Sequence, residues 1–128
     1  MTPEDAFGCP ACWPPSAEAA WEARNTLERR DLVDDSHLII GVLTCPACQQ
    51  RFVSTFHETV DWAGGEDPQY WTVLPVTEAE AASLEGLDEG PLVRRLNGLA
   101  PNRRSLRRSF PKGEPLRVAW GRGIVLFV

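Results

Sequence analysis

Two copies of the tetrapeptide Cys-Pro-Ala-Cys contain all four cysteines of this 128-residue chain and constrain its fold more than any other feature. They occupy Cys9–Cys12 and Cys45–Cys48. A C-x-x-C sequence forms a tight turn whose two thiolates converge, and two such turns supply the four soft, roughly tetrahedral ligands that Zn²⁺ prefers. We therefore predict one structural zinc bound by Cys9, Cys12, Cys45 and Cys48.

The segments around the cysteine pairs predict a helix and a hairpin. Ser16 is a suitable N-cap for a helix over Ala17–Arg30, which contains strong helix formers and no Gly or Pro. Leu38–Leu43 is a continuous apolar run typical of a buried strand, and residues 50–62 alternate as a second strand. The second cysteine pair is then the turn of a hairpin.

The alternation in residues 50–62 predicts which face of the second strand is buried. Phe52, Ser54, Phe56, Glu58, Val60 and Trp62 form the expected core face, and the opposite face, with His57, is expected to be solvated. A carboxylate on an apolar face is costly unless it is paired. We therefore expect Glu58 to pair with an arginine of the C-terminal third.

The two Cys-Pro-x-Cys knuckles, the second at the tip of a predicted hairpin, resemble a zinc ribbon over residues 9–12 and 38–56. The resemblance implies that the four cysteines bind one structural zinc. Zinc ribbons often have glycine directly after a knuckle, where this chain has Trp13 and Gln49. The resemblance says little about residues 63–128.

Three other readings of the cysteines remain open. Rubredoxins bind iron with two similarly spaced knuckles, but they have glycine after each knuckle and acidic loops between them. A catalytic dithiol pair usually lies at a helix start, and both pairs here have non-helical flanks. Two disulfides would suit an oxidising compartment, whereas the acidic start of the chain, Met1–Asp5, lacks the features of a secretory signal. We therefore expect a cytoplasmic protein.

The rest of the chain predicts a small antiparallel sheet. Further strands are expected at Tyr70–Val76, Leu106–Phe110, Leu116–Trp120 and Ile124–Val128. Thr77 and Glu80 match a capping box for a helix to about Leu84, and residues 86–102 predict at most one helical turn at Leu92–Leu96. The length suits one domain. The expected fold is α+β, with a zinc-ribbon-like part over residues 1–62 and mixed strands, a short helix and a basic hairpin over residues 63–128.

The charge distribution predicts a binding surface. Residues 1–93 carry 17 acidic side chains and 4 arginines, whereas residues 94–128 carry 9 basic side chains and one acidic one. An acidic surface suits a basic protein partner. Loops that combine charged and aromatic side chains often bind partners. The partner-binding residues predicted on this basis are Asp61, Trp62, Glu66, Asp67, Tyr70 and Trp71.

The arginine-rich segment supports an alternative, in which the protein binds nucleic acid through salt-sensitive phosphate contacts. Its candidate residues are Arg94, Arg95, Arg103, Arg104, Arg107 and Arg108. Pairing of these arginines with the acidic part of the chain is the competing explanation. On either reading no bilayer-spanning segment is expected, because the longest apolar runs fall far below roughly 20 residues.

An enzymatic role is the least supported prediction. A zinc ion with four thiolate ligands has no open position for water or substrate. His57 and Glu58 are adjacent, and on a strand their side chains face opposite sides. We therefore expect a small, zinc-stabilised binding or adaptor protein without catalytic activity.

Overall fold

The computed structural model describes residues 7–59, 63–65, 67–111 and 113–126, and its centre is a six-stranded antiparallel sheet. The strands lie side by side in chain order: β1 Glu28–Asp35, β2 Leu38–Thr44, β3 Arg51–Glu58, β4 Gln69–Val76, β5 Arg104–Phe110 and β6 Arg117–Arg122. The helices are α1 Ala17–Ala23, α2 Glu78–Ala82 and α3 Glu89–Gly98. The described residues therefore form an antiparallel sheet with a few short helices, which makes the fold α+β or mostly β. None of their helices has the length and apolar character needed to cross a membrane.

The hairpin predicted around the second cysteine pair is confirmed. β2 and β3 pair antiparallel from Leu38 opposite His57 to Thr44 opposite Arg51, so the Cys45–Cys48 segment is the turn between them. Both strands are rich in β-branched and aromatic residues, which pack well on a pleated surface.

The sheet is covered on both sides, which the alternation in β3 did not predict. Phe52 lies on the side that packs against α1 and the first cysteine pair, which we call the cysteine face. Val53 lies on the side that packs against α2 and α3, which we call the helical face. The prediction of a solvated position for His57 is wrong, because the helical face buries it to 2% exposure. This burial lowers the pKa of the imidazole.

The helix predicted over Ala17–Arg30 is correct only in its first half. The Ser16 hydroxyl accepts a hydrogen bond from the Ala19 N–H as predicted, but α1 ends at Ala23 and a short 3₁₀ turn follows. Glu28–Asp35 then forms β1, an edge strand paired with β2. The otherwise unpaired edge of the buried strand β2 outweighs the helix propensity of this segment. The many charges on β1 suit an edge strand, because they discourage pairing with another chain.

In the second half of the chain, one predicted helix cap is confirmed and one helix is longer than predicted. Thr77 and Glu80 form the predicted capping box at the start of α2. α3 is ten residues long, not a single turn, because Leu92, Val93 and Leu96 pack into the core of the helical face. Residues 124–126 do not form the predicted last strand, and the end of that predicted strand lies outside the described residues.

Glu58 does not pair with an arginine, contrary to the prediction. Its carboxylate accepts hydrogen bonds from Gln69 Nε2 at 3.1 Å and lies 2.9 Å from His37 Nδ1. His37 precedes β2 in the turn after β1, and Gln69 lies directly opposite Glu58 on β4. Both partners are therefore supplied by neighbouring strands, so Glu58 needs no distant cation.

Candidate metal centre

The sulfur atoms of Cys9, Cys12, Cys45 and Cys48 all lie within 4.8 Å of one another. The shortest separations are 3.7 Å for Cys9–Cys12, 3.7 Å for Cys12–Cys48 and 3.9 Å for Cys9–Cys45. Four sulfurs at a Zn–S distance of about 2.3 Å form a tetrahedron with edges of about 3.8 Å. The sulfur positions therefore fit a single tetrahedral metal ion.

Backbone hydrogen bonds form the two knuckles. In the first, the N–H groups of Cys12 and Trp13 both donate to the Cys9 carbonyl, at 3.1 and 2.8 Å. In the second, the Gln49 N–H donates to the Cys45 carbonyl at 2.8 Å. Gln49 has a φ of 66°, in the left-handed region that favours glycine. The second knuckle thus has the backbone geometry of a glycine-containing knuckle without the glycine.

Gln50 connects the two knuckles to the sheet. Its Oε1 accepts from the Gly8 N–H at 3.0 Å, and its Nε2 donates to the Val76 carbonyl at 2.8 Å. Gly8 has a φ of 75°, and a Cβ there would lie 2.6 Å from the Trp13 Cβ. Only glycine therefore allows the first knuckle to approach the second in this way.

The cluster is closed toward the sheet and accessible from the opposite side. Cys12 and Cys45 are each 2% exposed, whereas Cys48 is exposed. Trp13 covers the inner side, with its ring centroid 5.2 Å from that of Phe52 and 5.0 Å from that of Trp120. The metal centre and the aromatic core of the cysteine face are thus one packing unit.

The thiols differ in their affinity for protons. A hydrogen bond from the Cys12 backbone lowers the pKa of the Cys9 thiol to about 7. Burial raises the pKa of the Cys12 and Cys48 thiols. A divalent ion would overcome that burial penalty, because it binds thiolates and displaces their protons. The chemistry of the four sulfurs therefore fits a soft or borderline metal ion, and four protein ligands leave no position for a substrate.

The residues predicted to bind a protein partner do not all lie within the described part of the chain. Asp61, Trp62 and Glu66 lie outside it. Asp67 is exposed, whereas Tyr70 and Trp71 are neighbours on β4 and therefore face opposite sides of the sheet. Tyr70 stacks on His57 on the helical face, with ring centroids 5.2 Å apart.

The predicted basic segment is divided between several surfaces. Arg94 and Arg95 lie on α3, and Arg103 pairs with Glu80 at 2.7 Å while donating to the Pro75 carbonyl. Arg104 and Arg108 lie on the cysteine face, and Arg107 between them faces the other side. Pairing with the acidic part, the competing explanation, is seen for Arg103.

Sequence reasoning missed a group of aromatic and arginine side chains on the cysteine face. The Arg108 Cζ lies 4.3 Å from the ring centroid of Trp71 and 4.9 Å from that of Trp21. The Arg24 Cζ lies 3.6 Å from the Trp21 centroid. No signal in the sequence groups Trp21 with Trp71 and Arg108, because these two partners lie on strands far along the chain.

Comparisons with protein-family models, curated proteins and solved structures found no match to this chain. The assignment of the centre therefore depends on the geometry and chemistry of its own residues. These identify four cysteines able to hold one metal ion at the turn of a β-hairpin.

Proposed function

We propose that this protein is a small, non-catalytic binding module in which one Zn²⁺ at the four cysteines stabilises a zinc-ribbon-like element. The observation that carries the proposal is the set of sulfur separations, which match the edges of a tetrahedral zinc tetrathiolate. Zinc is favoured because it is redox-inactive and tetrahedral in structural sites. Iron, bound as in a rubredoxin, is the alternative ion.

The location of the cysteines supports a structural role for the metal. Two ligands come from a segment before α1 and two from the β2–β3 turn, so an ion would join parts of the chain that no disulfide connects. Because a preformed site rarely exists in an unfolded chain, the free energy of metal binding contributes to folding. A cytoplasmic location suits this role, since a reducing compartment keeps thiols available for metal.

Two features support a binding role: the coordination of the four-cysteine centre and the side chains that the cysteine face exposes. Four thiolates leave no open position for a Lewis-acid reaction. Much of the cysteine face beyond the knuckles is only half-buried, and it presents aromatic and charged side chains of the kinds that are enriched in recognition surfaces. The basic protein partner anticipated from the acidic composition remains a prediction.

The metal content of the purified chain tests the proposal. We expect about one zinc per chain by elemental analysis, and a colourless protein, whereas an iron tetrathiolate is coloured. The Cys45→Ser variant removes a buried ligand and should bind much less zinc. Ser54→Ala, a change of similar size on the same face, should keep the full zinc content. A chain that contains no metal after expression in zinc-supplemented medium would contradict the proposed function.

A further inference from the structure

One row of residues crosses the cysteine face from edge to edge. By the strand register, successive neighbours in this row are Asp34, Ile39, Phe56, Trp71, Arg108 and Val118. The row has a carboxylate near one edge, two aromatic rings in the middle and a guanidinium near the other edge. Neighbouring strands lie about 4.8 Å apart, so the backbone positions of Asp34 and Arg108, four strands apart, are separated by roughly 19 Å.

The part of the row from Asp34 to Trp71 forms the floor of an open groove beside the C-terminal end of α1, and Arg108 lies next to the groove, over the Trp71 ring. The groove has a volume of about 470 Å³, and its lining includes Phe56, Trp71, Ile39, Arg24 and Asp34. Volumes of this order are typical of ligand sites. Phe56 and Trp71 are half-buried, with ring centroids 5.0 Å apart, so together they offer a continuous aromatic surface.

Arg24, which lines the groove, and Arg108, which lies beside it, form no direct ion pair within the described parts of the chain, although the charge of Glu22 acts on Arg24. Arg29, in contrast, is bound by Asp31 at 2.7 Å. The Arg24 Nε–H is shielded from solvent without a hydrogen-bond acceptor. Burial and the nearby charges of Arg108 and Arg29 lower the pKa of Arg24. Both guanidiniums lie over the same indole, Trp21, and they repel each other, so an anion bound close to either would be stabilised by both charges.

We propose that this groove binds single-stranded nucleic acid, with bases stacked on Phe56 and Trp71 and phosphates bound by Arg24 and Arg108. The inference deepens the binding role proposed above and rests on it. Proteins that bind single strands combine basic side chains along the backbone with aromatic rings on which bases stack. Here both kinds of side chain lie on adjacent strands, whereas the segment 94–108 alone does not bring them together.

The distribution of charge across the row favours nucleic acid over an acidic peptide. Arg108 lies on β5 and Arg24 follows α1, whereas Asp34 and the mutually paired Arg29 and Asp31 lie on β1. The side chains of an acidic peptide gain from the cations, but they have no π face to stack on the aromatic floor and their charge is repelled by the carboxylate of Asp34. A nucleotide strand uses all three, because its bases have π faces and exocyclic amino groups that a carboxylate can accept.

Binding of a fluorescein-labelled ten-nucleotide oligodeoxycytidine, whose bases carry an exocyclic amino group, to the zinc-loaded full chain, followed by fluorescence anisotropy, tests the inference. We expect the Trp71→Leu variant to bind about 10-fold more weakly and Trp71→Phe to keep most of the affinity, because the stacking surface is retained. Arg108→Gln should weaken binding and reduce the slope of log K against log salt by about 0.7, the value for one phosphate contact. The Phe56→Leu variant tests the second aromatic ring of the groove floor in the same binding assay.

Arg94→Gln is the matched control, because Arg94 is exposed on α3, on the other side of the sheet. It should leave both the affinity and the salt dependence unchanged. Equal losses for Arg94→Gln and Arg108→Gln would indicate only diffuse electrostatic attraction and would overturn the inference. Unchanged oligonucleotide affinity in both Trp71→Leu and Phe56→Leu would also overturn the inference. Displacement of the oligonucleotide by decaglutamate, added at an equal concentration of negative charge, would do the same.

The zinc content of each variant separates this inference from the proposed function. A wild-type chain that holds one zinc but does not bind the oligonucleotide overturns the inference alone. A chain without metal contradicts the proposed function first.

Discussion

The two faces of the sheet are stabilised by different means. The helical face is closed by an apolar core, in which Leu92 and Leu96 of α3 pack against Ile40, Val53 and Leu74 of the strands. The cysteine face has a smaller apolar core, built around the four-cysteine cluster and Trp13. Beyond that cluster it opens into the aromatic and arginine groove.

The comparison shows how a short chain can leave part of a sheet available for binding. Of the described helices, only α1 covers the cysteine face, whereas α2 and α3 both cover the helical face. The four-cysteine cluster, which is able to hold one metal ion, closes one end of the cysteine face with four side chains and two tight turns. The remaining area can therefore carry half-exposed aromatic rings without loss of the core on the other side.

Removal of the metal is expected to produce the largest effect and to act on the cysteine face first. We expect chelation to lower the melting temperature by at least about 10 °C, because zinc binding in such sites contributes many kcal/mol to folding. Amide hydrogen exchange should accelerate most in the knuckles and around Phe52. Excess zinc should restore the original melting temperature. Equal acceleration in the knuckles and in α3 would show that the two faces do not unfold separately.

The Leu96→Ala variant tests how much the apolar core of the helical face contributes to stability. Leu96 is fully buried, and its truncation should cost about 3 kcal/mol of unfolding free energy by leaving a cavity under α3. Denaturant unfolding measures this loss. The zinc content should stay at one per chain, since Leu96 belongs to the core that excludes the cysteines. Loss of zinc in this variant would mean that the metal centre depends on the helical face.

Gln49→Gly is expected to have the smallest effect and to stabilise the protein. Its positive φ is unfavourable for a residue with a side chain, and glycine should raise the unfolding free energy by about 0.5 kcal/mol, despite the loss of a 3.3 Å hydrogen bond to the Pro46 carbonyl. Zinc should also bind more tightly, as measured by competition with a chelator.

Ala100→Gly is the matched control for Gln49→Gly, because Ala100 has a φ of 43° but packs against the core of the helical face. It should change the zinc affinity by less than Gln49→Gly does. Similar gains in zinc affinity for both variants would contradict a local effect at the second knuckle.

The local features of the fold were predictable where nearby residues specify them. The N-cap at Ser16, the capping box at Thr77 and the cysteine hairpin depend on side chains within a few positions of one another, and all three are confirmed. The end of α1 and the length of α3 were not predictable. They depend on the unpaired edge of β2 and on the core of the helical face, which local propensity does not encode.

The grouping of the four cysteines was predicted because the spacing within each pair is a local property, and two C-x-x-C turns have few other uses. The groove was not predicted, because Trp21, Phe56, Trp71 and Arg108 come from four elements that only strand register brings together. The sequence by itself determined the four cysteines and the hairpin that presents two of them. The tertiary structure decided which side chains share a face, because sheet neighbours are set by pairing between distant strands and not by distance along the chain.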